Sequence, residues 1–393
     1  MAKICISIYC ALCILLVGCW DRIEIEERGF IIGASVDLAE NHQNNNQELM
    51  LTSQFVVPSG LGAPTDGGNS SGAFMNLSVT GNSLFDMNRD MAKLTSLTPF
   101  YEHLKVIIIS EEVVREPHVF GNVMDIFIRD HEMRRGVKVV ISEGQAQQTF
   151  DMKPKNEDLP AIFIESVMEN STANANVLEP IHLGEVHEYL LGNRSFVLPR
   201  IFPLGNSVEY EGAAVFQGDT NKMVGILEGD EAKGLGYVTK ENKGGVVKTT
   251  IDDQIVTLEI ERSKSDITLK NKKRGNLKID IKIDMEVGIA ETFGSRRITS
   301  PKFIEKAEKA GSNQIKEIVN QTIKKVQEQY EADVLGIDNV LQNEHYDLWK
   351  EIREDWDKGE NYFVQSTINV KADVKVIESG VSDKITNKNR RDY

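Results

Sequence analysis

Leu277-Lys278-Ile279-Asp280-Ile281-Lys282-Ile283-Asp284-Met285-Glu286-Val287-Gly288-Ile289 alternates apolar and polar residues almost without a break. Successive side chains of a strand point to opposite faces, so strict period two predicts one long strand with a dry face and a wet face. A sheet wet on one side is characteristic of antiparallel pairing. Downstream, Phe303 to Ala332 carries Ile315, Val319, Ile323, Val326 and Tyr330 at helical spacing, with Lys and Glu opposite. That spacing predicts a long amphipathic helix. Leu348 to Trp356 reads as a second, shorter helix with Trp349 and Trp356 on one face, and Thr367 to Ile377 alternates again. Upstream, Ile255 to Ile260 places Val256, Leu258 and Ile260 inward, and Lys270 to Arg274 reads as a charged turn between strands. The expectation for residues 206–380 is an α+β domain, an antiparallel sheet with its dry face under the long helix. Residues 381–393 form a polar tail.

The first half has a different rhythm. Phe30 to Val36 and Leu49 to Val57 read as two strands of a hairpin around a polar, Asn-rich turn at Glu40 to Gln47. Residues 58–72 (PSGLGAPTDGGNSSG) hold five glycines, two prolines and three serines, a composition for a loop rather than a regular element. Phe74 to Val79 is strand-like, and Asn82 to Leu97 presents Leu84, Phe85, Met87, Met91 and Leu94 as one helix face. Lys105 to Ser110, an apolar helix face from Val123, and Val137 to Ser142 then give strand, helix, strand. That order predicts an α/β unit with a partly parallel sheet. Three more segments look helical: 145–150, 162–172 and 181–191. Pro199 and Pro203 interrupt the pattern, so the main boundary is expected near Gly205, between a region 19–205 and the region 206–380. The fold class expected is mixed α/β and α+β, sheets flanked by helices, and the length after the leader suggests two or three domains.

The amino terminus decides where this body sits. Met1-Ala2-Lys3 is a positive n-region and Ile4 to Val17 an apolar run, a secretory leader over residues 1–18. It is too short to span a bilayer. All four cysteines (Cys5, Cys10, Cys13, Cys19) fall in the first 19 residues. Leu16-Val17-Gly18-Cys19 has the form of a lipobox, with Cys19 as the lipid attachment site, an N-palmitoyl, S-diacylglycerol cysteine. Nothing after Cys19 could pair with it as a disulfide. Two or more acyl chains anchor stably where one is marginal. Trp20 suits the headgroup layer, and equally suits packing. The net charge is -15, to which the leader contributes only Lys3. Such a body repels nucleic acid, and its charge argues against its lying flat on anionic lipid, so the tether is expected to hold it at the membrane with the body facing water.

Chemistry is sparse. His182-Leu-Gly-Glu-Val-His187 lacks the glutamate placement of either zinc-helix motif. Asp355-Trp-Asp357-Lys-Gly359 begins like a calcium loop but lacks its later ligands. There is no G-x-S-x-G, no P-loop, no G-x-G-x-x-G between strand and helix, and no cysteine nucleophile after Cys19. No catalytic, metal or cofactor residue is expected. The charged run Arg129, Asp130, His131, Glu132, Arg134, Arg135 reads as a solvated helix end, with partner docking as the alternative.

Gly18-Cys19-Trp20-Asp21-Arg22 with Glu24, Ile25, Glu27, Gly33 and Asp37 resembles the start of the Ger(x)C family, the lipoprotein C subunits of spore germinant receptors. The resemblance continues through Thr80 to Phe85, His103 to Val106, Ser110 to Glu112 and Asp125 to Asp130. In the second half it takes in Glu211 to Phe216, Val224 to Leu227, Gly234, Ala332-Asp333, Leu335-Gly336, Leu348-Trp349 and Trp356. It departs at Tyr346-Asp347, at Gly359 to Tyr362 and in the glycine-rich loop. What the resemblance implies is a three-domain, mixed α/β body without enzymatic activity, two of its domains lying as subdomains within the region 19–205, from Asp21 to about Arg200, anchored on the outer face of the inner spore membrane. Its implied partners are a receptor A subunit and a polytopic B subunit, and no germinant-binding residue carries over. Two rival readings are a lipid-anchored solute-binding protein, which needs a hinged cleft between similar lobes, and an exported lipid-anchored hydrolase, which needs a nucleophile or metal set.

Overall fold

The computed structural model describes residues 24–39, 48–61, 72–170, 177–239, 244–292 and 300–378. The leader, Cys19, the Asn-rich turn, most of the glycine-rich loop and the tail lie outside them.

In chain order the first half runs β1 (Arg28–Leu38), β2 (Leu49–Val56), β3 (Phe74–Gly81), α1 (Leu84–Met91), β4 (Thr98–Phe100), β5 (Val106–Ser110), α2 (Glu111–Val114), α3 (Val119–Arg129) and β6 (Lys138–Ser142). It continues with α4 (Gln148–Asp151), α5 (Pro160–Asn170), β7 (Ile181–His182), α6 (Leu183–Gly192), β8 (Phe196–Leu204), β9 (Ser207–Gln217) and β10 (Lys222–Leu227). These strands form one sheet in the order β10-β9-β8-β6-β5-β1-β2-β3, with β4 beside β1 and β7 beside β6. β1 and β2 are the expected antiparallel hairpin pair. β1, β5, β6 and β8 are mutually parallel, as the strand-helix-strand order predicted. β5 and β6 are fully buried runs of Val and Ile because helices cover both faces of the sheet. α1, α3 and α6 pack through Met87, Phe120, Met124 and Val186 on one face; α4 and α5 pack through Phe150, Ile164 and Met168 on the other.

The expected boundary near Gly205 falls at the tip of a hairpin. β8 and β9 pair from Phe196↔Phe216 to Leu204↔Ser207, so the first sheet runs on to Leu227. Pro199 and Pro203 interrupt a sequence pattern, not the strand.

The second half runs α7 (Asp230–Thr239), β11 (Val246–Ile251), β12 (Gln254–Asn271), β13 (Lys278–Thr292), α8 (Pro301–Glu328), α9 (Ile337–Glu344), α10 (Tyr346–Ile352), α11 (Tyr362–Gln365) and β14 (Thr367–Glu378). β13 is the alternating stretch: Ile279, Ile281, Ile283, Met285, Val287 and Ile289 are buried against α8, beneath Ile315, Val319, Ile323 and Val326. The sheet, β11-β12-β13-β14, is mixed rather than antiparallel throughout. β11, β12 and β13 are antiparallel neighbours, but β14 pairs parallel to β13. The cause is the connection: a 28-residue helix returns the chain to the end where β13 began, as in any crossover. α8 stops at Glu328, short of the expected Ala332, and Glu331 adopts a left-handed backbone (φ 52°). Trp349 and Trp356 do not share one helix, since α10 ends at Ile352. Their rings nevertheless meet edge to face at 6.4 Å.

Candidate functional site at the junction of the two sheets

In open α/β sheets ligands bind outside the carboxyl ends of parallel strands, where helices leave toward opposite faces. Here that place lies between β5 and β6, whose following helices cover different faces, and it is filled. Arg200 of β8 is 1% exposed. Its Nε donates to Glu111 at 2.9 Å, its Nη2 reaches Glu143 at 3.0 Å and its Nη1 reaches Glu228. One guanidinium thus ties the ends of β5, β6 and β10 together. Beside it, at the end of β1, the Asp37 carboxylate accepts from the amides of Ala146 (2.6 Å) and Gln147 (3.0 Å). Burial pushes the Asp37 carboxyl up to about 6, against those hydrogen bonds, and Glu112 adds to the rise. This edge is a latch of charged groups that hold one another.

The second polar centre joins the two sheets. Asp333, 2% exposed, accepts from the amides of Leu335 (3.0 Å) and Asp338 (2.8 Å) and from Trp356 Nε1 (2.8 Å). It caps the start of α9 and fixes Trp356 in the second core. Burial raises its carboxyl to about 7, and Asp338 pushes in the same direction. Asp338 receives Arg194 Nε at 2.6 Å, while Asp357 receives Ser195 Oγ and the Asp333 amide. Burial raises Asp357 as well, opposed by the Ser195 hydroxyl. Arg194 and Ser195 lead into β8, so the Arg194–Asp338 and Ser195–Asp357 bonds cross from the first sheet to α9 and to the turn after α10, while the Asp333 bonds hold the second half together. Above them opens a cleft of about 410 Å³, lined by Tyr189, Arg194, Phe196, Val238, Ile267, Leu335 and Asp338 among others.

The residues singled out from the sequence go elsewhere. His182 begins α6, and both its amide and its ring Nδ1 meet Glu185 Oε2 at 2.9 Å. His187 faces Arg135 at 3.4 Å. Asp355 and Asp357 do not converge: Asp357 turns inward to Ser195, and Asp355 receives the Glu360 amide. Among the described residues no group of three or more His, Cys, Asp or Glu could hold a metal ion. Arg274 of the charged turn reaches the Tyr362 hydroxyl. Arg200 and Asp333 carried no functional signal in the sequence beyond the prolines flanking one and the family resemblance around the other. Among the described residues no helix is long and apolar enough to cross a membrane.

Comparison with known proteins covers nearly the whole chain. The family model described as spore germination protein N-terminal domain matches residues 21–203, and the model described as spore germination B3/GerAC like, C-terminal, matches residues 211–380. Spore germination protein YndF of Bacillus subtilis (strain 168) is 31% identical over 95% of this chain and 96% of its own length. Spore germination protein B3 of the same organism is 25% identical over 94% of this chain and 96% of its own. The crystal structure of the GerBC protein superposes with a TM-score of 0.60 at 22% identity, covering 88% of this chain and 97% of that one, which shows a shared fold. With both halves matched in order, the chain belongs to the Ger(x)C family of spore germination proteins.

Proposed function

We propose that this protein is the lipid-anchored C subunit of a nutrient germinant receptor, required for spore germination through assembly with the A and B subunits and without catalysis of its own. Cys19 holds it to the outer face of the inner spore membrane. The observation that carries the reading is the match of both halves to spore germination families, joined to a lipobox that ends at Cys19, two positions before the first matched residue. The latch around Arg200 supports a scaffold: the place where α/β enzymes bind substrate is occupied by the protein's own side chains. Deleting the gene tests it. Loss of the response to a germinant, with reduced A or B subunit in the membrane, is the expected result. A normal response to every germinant with unchanged partner levels overturns it.

The cleft over Arg194 and Asp338 favours a second reading, solute binding. The two halves flanking it are unlike, a layered α/β sheet and a one-sided α+β sheet, which is not the paired-lobe design of hinged solute binders. Calorimetry of the soluble body with amino acids and sugars separates the two: heats of binding favour the second reading.

A further inference from the structure

We infer that the edge of the first sheet bearing the amino-terminal ends of β1, β5 and β6 is the face this protein turns to the bilayer, and that the exposed tip at Arg134 and Arg135 is its contact with anionic headgroups. The inference rests on the proposed acylation of Cys19. Glu24 lies five positions after Cys19, a reach of at most about 18 Å. β1 starts at Arg28 and runs for 11 residues, about 36 Å. The tether therefore holds one end of β1 near the membrane and is too short to bring the other end down while β1 stands upright.

Parallel pairing carries this polarity across the sheet. β5 lies beside β1 and β6 beside β5, both parallel and both beginning opposite Gly33; the loop before β6 reaches back toward the tethered edge, where Glu132 meets the amide of Tyr101, the residue after Phe100, which pairs with Phe30. The start of β6 is about 10 Å to the side of β1. The loop entering β6 is the charged run noted in the sequence. Its acids turn to backbone: Asp130 Oδ1 accepts the Glu132 amide at 2.9 Å, and Glu132 Oε2 accepts the Tyr101 amide at 3.2 Å. Its cations turn outward, with His131, Arg134 and Arg135 all exposed. Glu24, Glu26, Glu27 and Glu102 share the tethered edge, so the attraction is local to the tip. The opposite edge carries Asp37, Glu111, Glu112, Glu116 and Glu143 against Arg115 and the buried Arg200, and an anionic surface repels it. A net charge of -15 argued against contact with lipid; its uneven distribution selects which edge makes that contact.

The body after Cys19 has no cysteine, so a single introduced cysteine can carry a fluorophore once Cys19 is acylated. The full lipidated chain is reconstituted in phosphatidylglycerol–phosphatidylcholine vesicles containing a nitroxide lipid, with the label at His131→Cys or Glu112→Cys. Both positions are exposed. The expected result is loss of fluorescence at position 131 and none above background at 112. Equal quenching at both, stronger quenching at 112, or no quenching at either on protein that floats with the vesicles overturns the orientation. Protein that fails to float refutes the acylation and the orientation with it. The double variant R134E/R135E should lower quenching at position 131 in anionic vesicles and leave it unchanged in pure phosphatidylcholine. An unchanged signal in both overturns the role of the tip.

Discussion

Tyr330 grips Ile226 by both of its backbone polar groups: the hydroxyl donates to the Ile226 carbonyl at 2.6 Å and accepts from the Ile226 amide at 3.0 Å. Ile226 belongs to β10, the outermost strand of the first sheet. The side chain thus pairs with a free sheet edge as a neighbouring strand would. It reaches there because α8 ends two residues earlier, and because β10 offers no side chain at Gly225, where a Cβ would overlap the Tyr330 ring.

This contact predicts a measurable stability loss across the junction. Tyr330→Phe leaves two backbone groups of Ile226 without a partner and should cost about 1–3 kcal/mol. Gly225→Ala should cost at least as much, by displacing the ring. Urea unfolding of the soluble body reads both. Two near-neutral variants would mean that the edge is satisfied some other way.

The Arg200 latch predicts asymmetric costs. Arg200→Met leaves Glu111, whose side chain is only 12% exposed, with Arg115 as its remaining cation at 3.0 Å, and should destabilise by about 1–3 kcal/mol. Glu143→Gln should cost under about 1 kcal/mol, because that carboxylate is 56% exposed and surface pairs contribute little. Equal losses from both substitutions would contradict the burial argument.

Much of this architecture was legible in the residues, and the gaps have physical causes. Period-two alternation from Leu277 to Ile289 identified β13 because one face is dry. Its parallel partner was not legible, since β14 alternates in the same way whichever direction it runs. The boundary expected near Gly205 lies at the tip of the β8–β9 hairpin, where prolines punctuate the sequence without breaking a strand whose hydrogen bonds they do not need. The junction was least visible. Of Arg194, Ser195, Asp333, Asp338 and Asp357, the bonded pair Ser195 and Asp357 lie 162 positions apart in the chain, and a lone aspartate reads as surface until its burial is known. The histidines at 182 and 187 drew attention by spacing alone, and the structure gives them a helix cap and a surface contact.

Buried aspartates make a prediction about pH. The Asp333 carboxyl is raised to about 7, from an ordinary value near 3.9. A raised acid binds its proton more tightly in the folded state, so its contribution to stability is greatest below about pH 4 and is lost as pH rises through about 7. Asp37, raised to about 6, and Asp357, also raised by burial, act in the same direction. The melting temperature should therefore climb as pH falls from 8 to 6. Asp333→Asn should melt lower overall, since an amide cannot accept three hydrogen bonds in this geometry, yet show a flatter dependence on pH. A variant as steep as the parent would place the titration elsewhere.

The crossing of α7 over α8 gives a prediction opposed to helix propensity. Replacing a helical glycine by alanine ordinarily stabilises by about 0.5–1 kcal/mol. Gly234 lies inside α7, and a Cβ there would collide with Thr322 Oγ1 and come within 3.0 Å of the Ile318 carbonyl of α8. That hydroxyl is not free to swing away, because it donates to the Glu231 carbonyl at 2.9 Å. Gly234→Ala should therefore destabilise. Gly121, inside α3, is the internal control: a Cβ there meets only the Asn221 amide nitrogen at 3.4 Å, so Gly121→Ala should stabilise. Opposite signs in thermal unfolding are expected, and a shift of the same sign in both would show that propensity, not the close approach of α7 to α8, governs this interface.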